Sequence, residues 1–189
     1  MTREVLYVMR SLRESRAIDI PSGVYVEVQG KRVTVRGPKG VLTRDFSHAR
    51  KVSITLNEDK IIVETHFAGR KEKALVGSVA AHIKNMILGV TRGFRYKMKI
   101  ISTHFPILIE VAKDEVLIKN FLGEKAPRRA RVEEGVRVWV DGQDLILEGI
   151  DVERVGQTAA NIESACKIRD KDRRVFMDGI YLYERGFAS

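Results

Sequence analysis

Val26-Glu-Val-Gln-Gly-Lys-Arg-Val-Thr-Val35 aligns without a gap to Ile109-Glu-Val-Ala-Lys-Asp-Glu-Val-Leu-Ile118, and this match decides the fold. Val26, Val28, Val33 and Val35 fall on Ile109, Val111, Val116 and Ile118. Apolar residues two apart, then a turn, then apolar residues two apart again predict a hairpin with one buried face, and the chain writes it twice. Outward from there the copies stay in step. Val52-Ser-Ile-Thr-Leu56 meets Val136-Arg-Val-Trp-Val140, and Ile61-Ile-Val-Glu64 meets Leu145-Ile-Leu-Glu148, with Asn57-Glu-Asp-Lys60 and Asp141-Gly-Gln-Asp144 between them as turns. A second hairpin is therefore expected in each copy.

Val76-Gly-Ser-Val-Ala-Ala-His-Ile83 then matches Val155-Gly-Gln-Thr-Ala-Ala-Asn-Ile162, and here the apolar period lengthens to that of a helix. Val155, Ala159, Ile162 and Cys166 form one stripe, which places Cys166 in a core. Gly77 and Gly156 are expected to let helix and sheet approach closely. The fold class is α+β: two tandem duplicated domains, each an antiparallel β-sheet with one helix packed on a face. Residues 18–103 make the first repeat and 104–189 the second, with the junction at 102–106 and Arg95-Tyr-Lys-Met-Lys-Ile-Ile101 as an edge strand closing the first copy, as Gly179-Ile-Tyr-Leu-Tyr183 closes the second. Residues 1–17 form an N-terminal extension, and 1–16 suit an amphipathic helix.

Composition narrows the class. Hydrophobic residues at 44% and charged residues at 31%, with four prolines, describe a globular chain rather than a disordered one. Lys and Arg number 34 against 25 Asp and Glu, a net charge of +9 that favours polyanionic partners. No run reaches the roughly 18 apolar residues of a membrane span, and charges break up 1–16 before any signal-like apolar stretch forms. Cys166 is the single cysteine, so no intrachain disulfide is possible and a reducing, cytoplasmic address fits.

Positive charge gathers in three loops. Arg36-Gly-Pro-Lys-Gly40 pushes Lys39 outward but lacks the Gly-Lys-Ser/Thr ending and following helix of a nucleotide loop; an ordinary turn explains it equally well. Gly123-Glu-Lys-Ala-Pro-Arg-Arg-Ala-Arg131 carries Lys125, Arg128, Arg129 and Arg131 against one Glu, more than solubility needs and suited to phosphate. Lys167-Ile-Arg-Asp-Lys-Asp-Arg-Arg174 follows a helix: Lys167 and Arg169 suit its dipole, while Lys171, Arg173 and Arg174 lie beyond it. Trp139 sits on the polar side of its strand, and Phe94, Tyr96 and Phe105 flank the junction as packing aromatics. The four histidines are scattered and no nucleophile-base pair, paired carboxylates or zinc spacing appears, so no catalytic residue, metal ligand or cofactor site is assigned.

Val35-Arg-Gly-Pro-Lys-Gly40, Thr43-Arg-Asp-Phe46, Asn85-Met-Ile-Leu-Gly-Val-Thr-Arg-Gly-Phe-Arg-Tyr-Lys-Met98, Asn120-Phe-Leu-Gly-Glu-Lys125 and Asp178-Gly-Ile-Tyr181 together resemble the universal large-subunit ribosomal protein family numbered six in bacteria and nine in eukaryotes. Arg174-Val-Phe-Met-Asp-Gly-Ile-Tyr181 looks like its eukaryotic and archaeal branch, although Ser164 stands where eukaryotic members tend to carry Gln. The extension at 1–16 is longer than the usual lead-in. The resemblance implies a non-enzymatic structural part of the large ribosomal subunit, bound to ribosomal RNA beside neighbouring ribosomal proteins, near the sarcin-ricin loop and the translation-factor region. It points to Lys39, Arg95, Lys97, Lys125, Lys171, Arg173 and Arg174 as RNA contacts, and the Arg-rich loop adds Arg128, Arg129 and Arg131. The second copy is expected to carry most of the RNA grip, the first to brace it and face other proteins. The rival readings are a duplicated protein-interaction module in another ribonucleoprotein, which would show an exposed apolar patch, and an RNA-processing enzyme using dispersed acids, which would show multiple turnover.

Overall fold

The structure, a computed structural model, describes residues 11–169, 172 and 174–188. The chain divides into two compact units, Met1–Thr91 and Arg92–Ser189, each with its own core.

Unit 1 runs β1 (Ser11–Asp19), β2 (Tyr25–Gln29), β3 (Arg32–Gly37), β4 (Gly40–Asp45), β5 (Ser53–Asn57), β6 (Lys60–Ala68) and α1 (Arg70–Thr91). It has two antiparallel sheets, β2-β3-β4 and β1-β6-β5. The first hairpin forms as expected and pairs Val26 with Val35 and Val28 with Val33. In β3 alternation buries Val33 and Val35 completely and leaves Arg32 and Arg36 outside. α1 buries Val76, Val79, Ala80, Ile83, Ile87 and Val90, spaced by three and four, against β1, β3 and β6. It is long and apolar enough to cross a membrane by length and composition, but this stripe is spent on the core of unit 1.

The Gly37-Pro-Lys-Gly40 turn packs on the end of α1. Lys39 N–H donates to the Val90 carbonyl at 2.9 Å, filling one of the acceptors that a helix C-terminus leaves open. A Cβ at Gly37 would stand 2.7 Å from Val90 Cγ2 and 2.8 Å from its carbonyl oxygen, so the glycine is there for close approach. Gly77 and Gly156 do not serve that purpose: the first has nothing within 4 Å of a Cβ, and the second only Tyr96 at 4.0 Å. In unit 2 the close contact is Gly149 against Val155, 2.8 Å from a Cβ.

Unit 2 runs β7 (Phe94–Ile101), β8 (Leu108–Val111), β9 (Glu115–Lys119), a 3-10 turn (Phe121–Gly123), β10 (Arg128–Arg131), β11 (Val136–Asp141), β12 (Asp144–Gly149), α2 (Val152–Ala165) and β13 (Gly179–Phe187). Its sheets are β8-β9-β10 and β11-β12-β7-β13. α2 opens at Asp151, whose side chain accepts from Glu153 N–H, and buries Val155, Thr158, Ala159 and Ile162. Cys166 is 5% exposed, in the core as the stripe implied, and burial pushes its thiol up to about 12.

Several sequence expectations are corrected here. Strand 94–101 does not close the first copy. Met98 lies opposite Leu145 on one side and Leu182 on the other, so β7 is an inner strand of unit 2 and the units divide at Thr91/Arg92, ahead of 102–106. The strand of unit 1 corresponding to β7 is β1, whose Ile18 faces Ile61 as Met98 faces Leu145. Residues 11–17 therefore belong to the β1-β6-β5 sheet of unit 1 and are not helical; residues 1–10 lie outside the described residues. The segment 128–131, expected as part of a loop, is the third strand of its sheet, as 40–45 is of the corresponding sheet in unit 1. Phe94 lies tilted against Phe187, with ring centroids 5.6 Å apart, and Tyr96 joins the core of unit 2.

Candidate nucleic-acid interface

β10 reads Arg128-Arg-Ala-Arg131, and strand parity gives its three arginines two different fates. Ala130 faces α2 and is buried; Arg128 shares that side. Arg129 and Arg131 project to the other face and are exposed. Arg128 Nη1 donates to the carbonyls of Ala165 (2.9 Å) and Lys167 (3.2 Å), where the last turn of α2 ends. Its Nε and Nη2 take the two oxygens of Glu124 at 2.8 and 2.6 Å, and the guanidinium lies 4.3 Å from the centre of the buried Phe121 ring. The Glu124 hydrogen bond raises the Arg128 pKa, and the same bond holds Glu124 below its usual range. Arg128 thus caps α2, as the Lys39 amide caps α1, and its donors are largely committed inside the protein.

Glu124 is brought to Arg128 by a tight turn. Asn120, Leu122 and Gly123 all have positive φ (58°, 52° and 79°), and the Asn120 amide donates to the Pro106 carbonyl at 3.0 Å. Between this turn and the end of α2 opens a cleft of about 610 Å³ lined by Leu122, Glu124, Arg128, Arg129, Ser164, Ala165, Lys167, Ile168 and Arg169. Its one carboxylate is taken by Arg128. Arg129 is 70% exposed with only a 3.9 Å ion pair to Glu115, and Lys167 and Arg169 have no side-chain partner among the described residues. One loosely paired and two unpaired cations around a concave surface give, among the described residues, an electropositive site that can take up phosphate oxygens and release counterions.

The structure separates the sequence candidates. Arg129 lines the cleft, and Lys125 and Arg131 lie exposed on the segments beside it. Arg174 is exposed further along the chain, its amide bonded to Asp172 Oδ1 at 2.9 Å; Lys171 and Arg173 lie outside the described residues. Arg95 and Lys97 alternate with the core residues Tyr96 and Met98 and so occupy the face of β7 turned from α2, away from the cleft. Arg95 Nη2 reaches Glu148 at 3.2 Å, and Lys97 Nζ reaches Glu184 at 3.0 Å, a bond that raises the lysine's pKa. Trp139 lies on that same outer face, opposite Ile146. Lys39 belongs to unit 1, with its amide on α1. Sequence reasoning gave Lys167 and Arg169 to the helix dipole; the structure gives that task to Arg128 and leaves both on the cleft. Their place just past the Val155-to-Cys166 stripe was the available signal.

Comparison with known proteins agrees with this architecture. The family model described as "Ribosomal protein L6" matches twice, over residues 20–93 and 105–179. A protein named "Large ribosomal subunit protein uL6" from Ignicoccus hospitalis is 62% identical over 176 residues, covering 91% of this chain and 95% of its own. Proteins of the same name from Desulfurococcus amylolyticus and Methanobrevibacter smithii are 58% and 47% identical, each across 95% of this chain and 98% and 99% of their own lengths.

Proposed function

The chain belongs to the ribosomal protein L6 family, and from that premise we propose that it is a non-enzymatic, structural component of the large ribosomal subunit whose second unit grips ribosomal RNA. The observation that carries the RNA reading is the cleft at the end of α2, where Lys167 and Arg169 have no carboxylate partner among the described residues and Arg129 only a long exposed one, whereas Arg95, Lys97 and Lys99 on β7 are each paired with a carboxylate. Because the cations sit on a strand and at a helix end, their spacing is set before RNA arrives. Several phosphates are then neutralised together, and RNA shape is recognised rather than a base sequence. Family resemblance further supports neighbouring ribosomal proteins as partners, a place near the factor-binding region and a cytoplasmic address.

The test is binding of the full chain to large-subunit ribosomal RNA over a salt series. Affinity is expected to fall with salt, with a slope of about 0.7 to 0.9 per neutralised phosphate. Charge reversal at Arg129, Lys167 and Arg169 is expected to flatten that slope and reduce incorporation into subunits, while reversal of Arg137 on the outer sheet face leaves both unchanged. Salt-independent binding, or full incorporation of the triple variant, would overturn the reading.

A further inference from the structure

Asp178 is 1% exposed, and all four of its acceptor positions are filled by one short segment. Oδ1 accepts the amides of Thr103 (2.6 Å) and His104 (3.0 Å); Oδ2 accepts Thr103 Oγ1 (2.9 Å) and faces His104 Nδ1 at 2.6 Å. The His104 ring stacks on Phe176, two residues before Asp178, with centroids 4.5 Å apart. Residues 102–106 are thereby fastened to Phe176 and Asp178, which follow the basic segment in the chain. The same segment reaches the cleft: the Phe105 ring lies 3.4 Å from where a Cβ on Gly123 would stand, and Gly123 belongs to the turn that delivers Glu124 to Arg128. At its other end the basic segment lines the cleft through Lys167 and Arg169. The Asp178 carboxylate is therefore linked to the cationic site through residues 102–106, the turn at Gly123 and the Glu124–Arg128 pair, whose guanidinium also donates to the Lys167 carbonyl.

We propose that Asp178 is a positioning residue for RNA binding, holding the 102–106 segment against residues 176–178 and, through the turn at Gly123 and the Glu124–Arg128 pair, against the end of α2, so that Lys167, Arg169 and Arg174 meet the RNA backbone at fixed spacing. This rests on the RNA-binding reading above and names the part of unit 2 that sets the geometry of that site. The carboxylate makes no contact with RNA itself: it is buried and its acceptors are used. Its effect passes through His104, Thr103 and Phe176. Ordering cations before binding spares part of the cost of immobilising long side chains on association, which is where the affinity gain arises.

The experiment measures affinity of the full chain for large-subunit ribosomal RNA across a salt series, with the folded fraction read from Trp139 fluorescence. Asp178→Asn places an amide donor among donors and is expected to weaken binding about tenfold and to lower the salt slope by about the contribution of one or two phosphates. His104→Phe keeps a ring for Phe176 and removes the Nδ1 donor, so it gives the smaller loss, about threefold, even if Asp178→Asn folds poorly. His104→Asn, which returns a donor near the Nδ1 position, is expected to recover the slope. A loss of global stability alone lowers the active fraction without changing the slope. The proposal is overturned if both variants keep the parent slope once folded fraction is counted, or if His104→Asn recovers nothing. Should the parent chain bind without salt dependence, the RNA-binding reading fails and takes this one with it; a parent that binds as expected beside unaltered clamp variants rejects the clamp alone.

Discussion

Replacing Arg128 by Met separates a helix cap from an RNA contact. Methionine keeps an aliphatic stem over Phe121 and deletes the guanidinium. Two hydrogen bonds from a charged donor to the carbonyls of Ala165 and Lys167 disappear, worth about 1 kcal/mol each for an arginine side chain that is 25% exposed. The bidentate pair with Glu124, itself 42% exposed, adds about 0.5 kcal/mol after screening, and the stacking on Phe121 about 0.5 kcal/mol. Unit 2 should lose about 3 kcal/mol, a large part of the roughly 5 to 15 kcal/mol that holds a domain together. Arg129→Met, at a side chain 70% exposed whose one ion pair among the described residues is 3.9 Å long, should cost less than about 0.5 kcal/mol. Trp139, the one tryptophan of the chain, sits in unit 2, so urea unfolding followed by its fluorescence reports that unit. RNA affinity of the still-folded variants is expected to run the other way, falling more for Arg129→Met than for Arg128→Met. If Arg128→Met unfolds at the parent midpoint and loses RNA affinity as Arg129→Met does, Arg128 is a contact and the capping argument is wrong.

Gly37→Ala should destabilise unit 1 by about 1 to 3 kcal/mol through the 2.7 Å and 2.8 Å encounters with Val90. Hydrogen exchange along α1 would show it, and Val90→Ala should restore only part, since the carbonyl clash remains. Cys166, its thiol raised to about 12 by burial, should react with iodoacetamide at pH 8 at least about a hundredfold more slowly in the folded chain than in urea; equal rates would contradict its place in the core. For Asp178 burial alone would raise the pKa, but the hydrogen bonds from His104 and Thr103 outweigh it and hold the carboxyl well below the ordinary 3.8. The stability it contributes is therefore full above that ordinary value and lost as pH falls below it toward the depressed folded value. The melting temperature of unit 2 should drop below about pH 4, and Asp178→Asn should lower it at pH 7 while flattening that acid limb.

Much of the chain was legible before any coordinates. Valines and isoleucines two apart wrote the opening hairpin of each copy and its apolar face, and the stripe from Val155 to Cys166 wrote the second helix and the burial of its thiol, because side-chain direction follows local period. The duplication followed from matching those periods. Alternation states which face of a strand is apolar, however, not which strand lies beside it. Residues 94–101 could close one sheet or sit inside another, and only the pairing of Met98 with Leu145 and Leu182 decided for unit 2. The basic residues were a harder case. Arg128 and Arg129 are neighbours of the same type, yet one ends among helix carbonyls and the other in solvent, since β10 turns them to opposite faces and α2 covers one. Likewise Asp178 became a clamp only when a distant histidine and threonine were folded onto it. The sequence by itself determined the repeated elements, the apolar stripes and the excess of positive charge. The tertiary structure decided which of those charges are free, because that depends on which oxygens come within hydrogen-bonding reach, and long-range packing alone sets those distances.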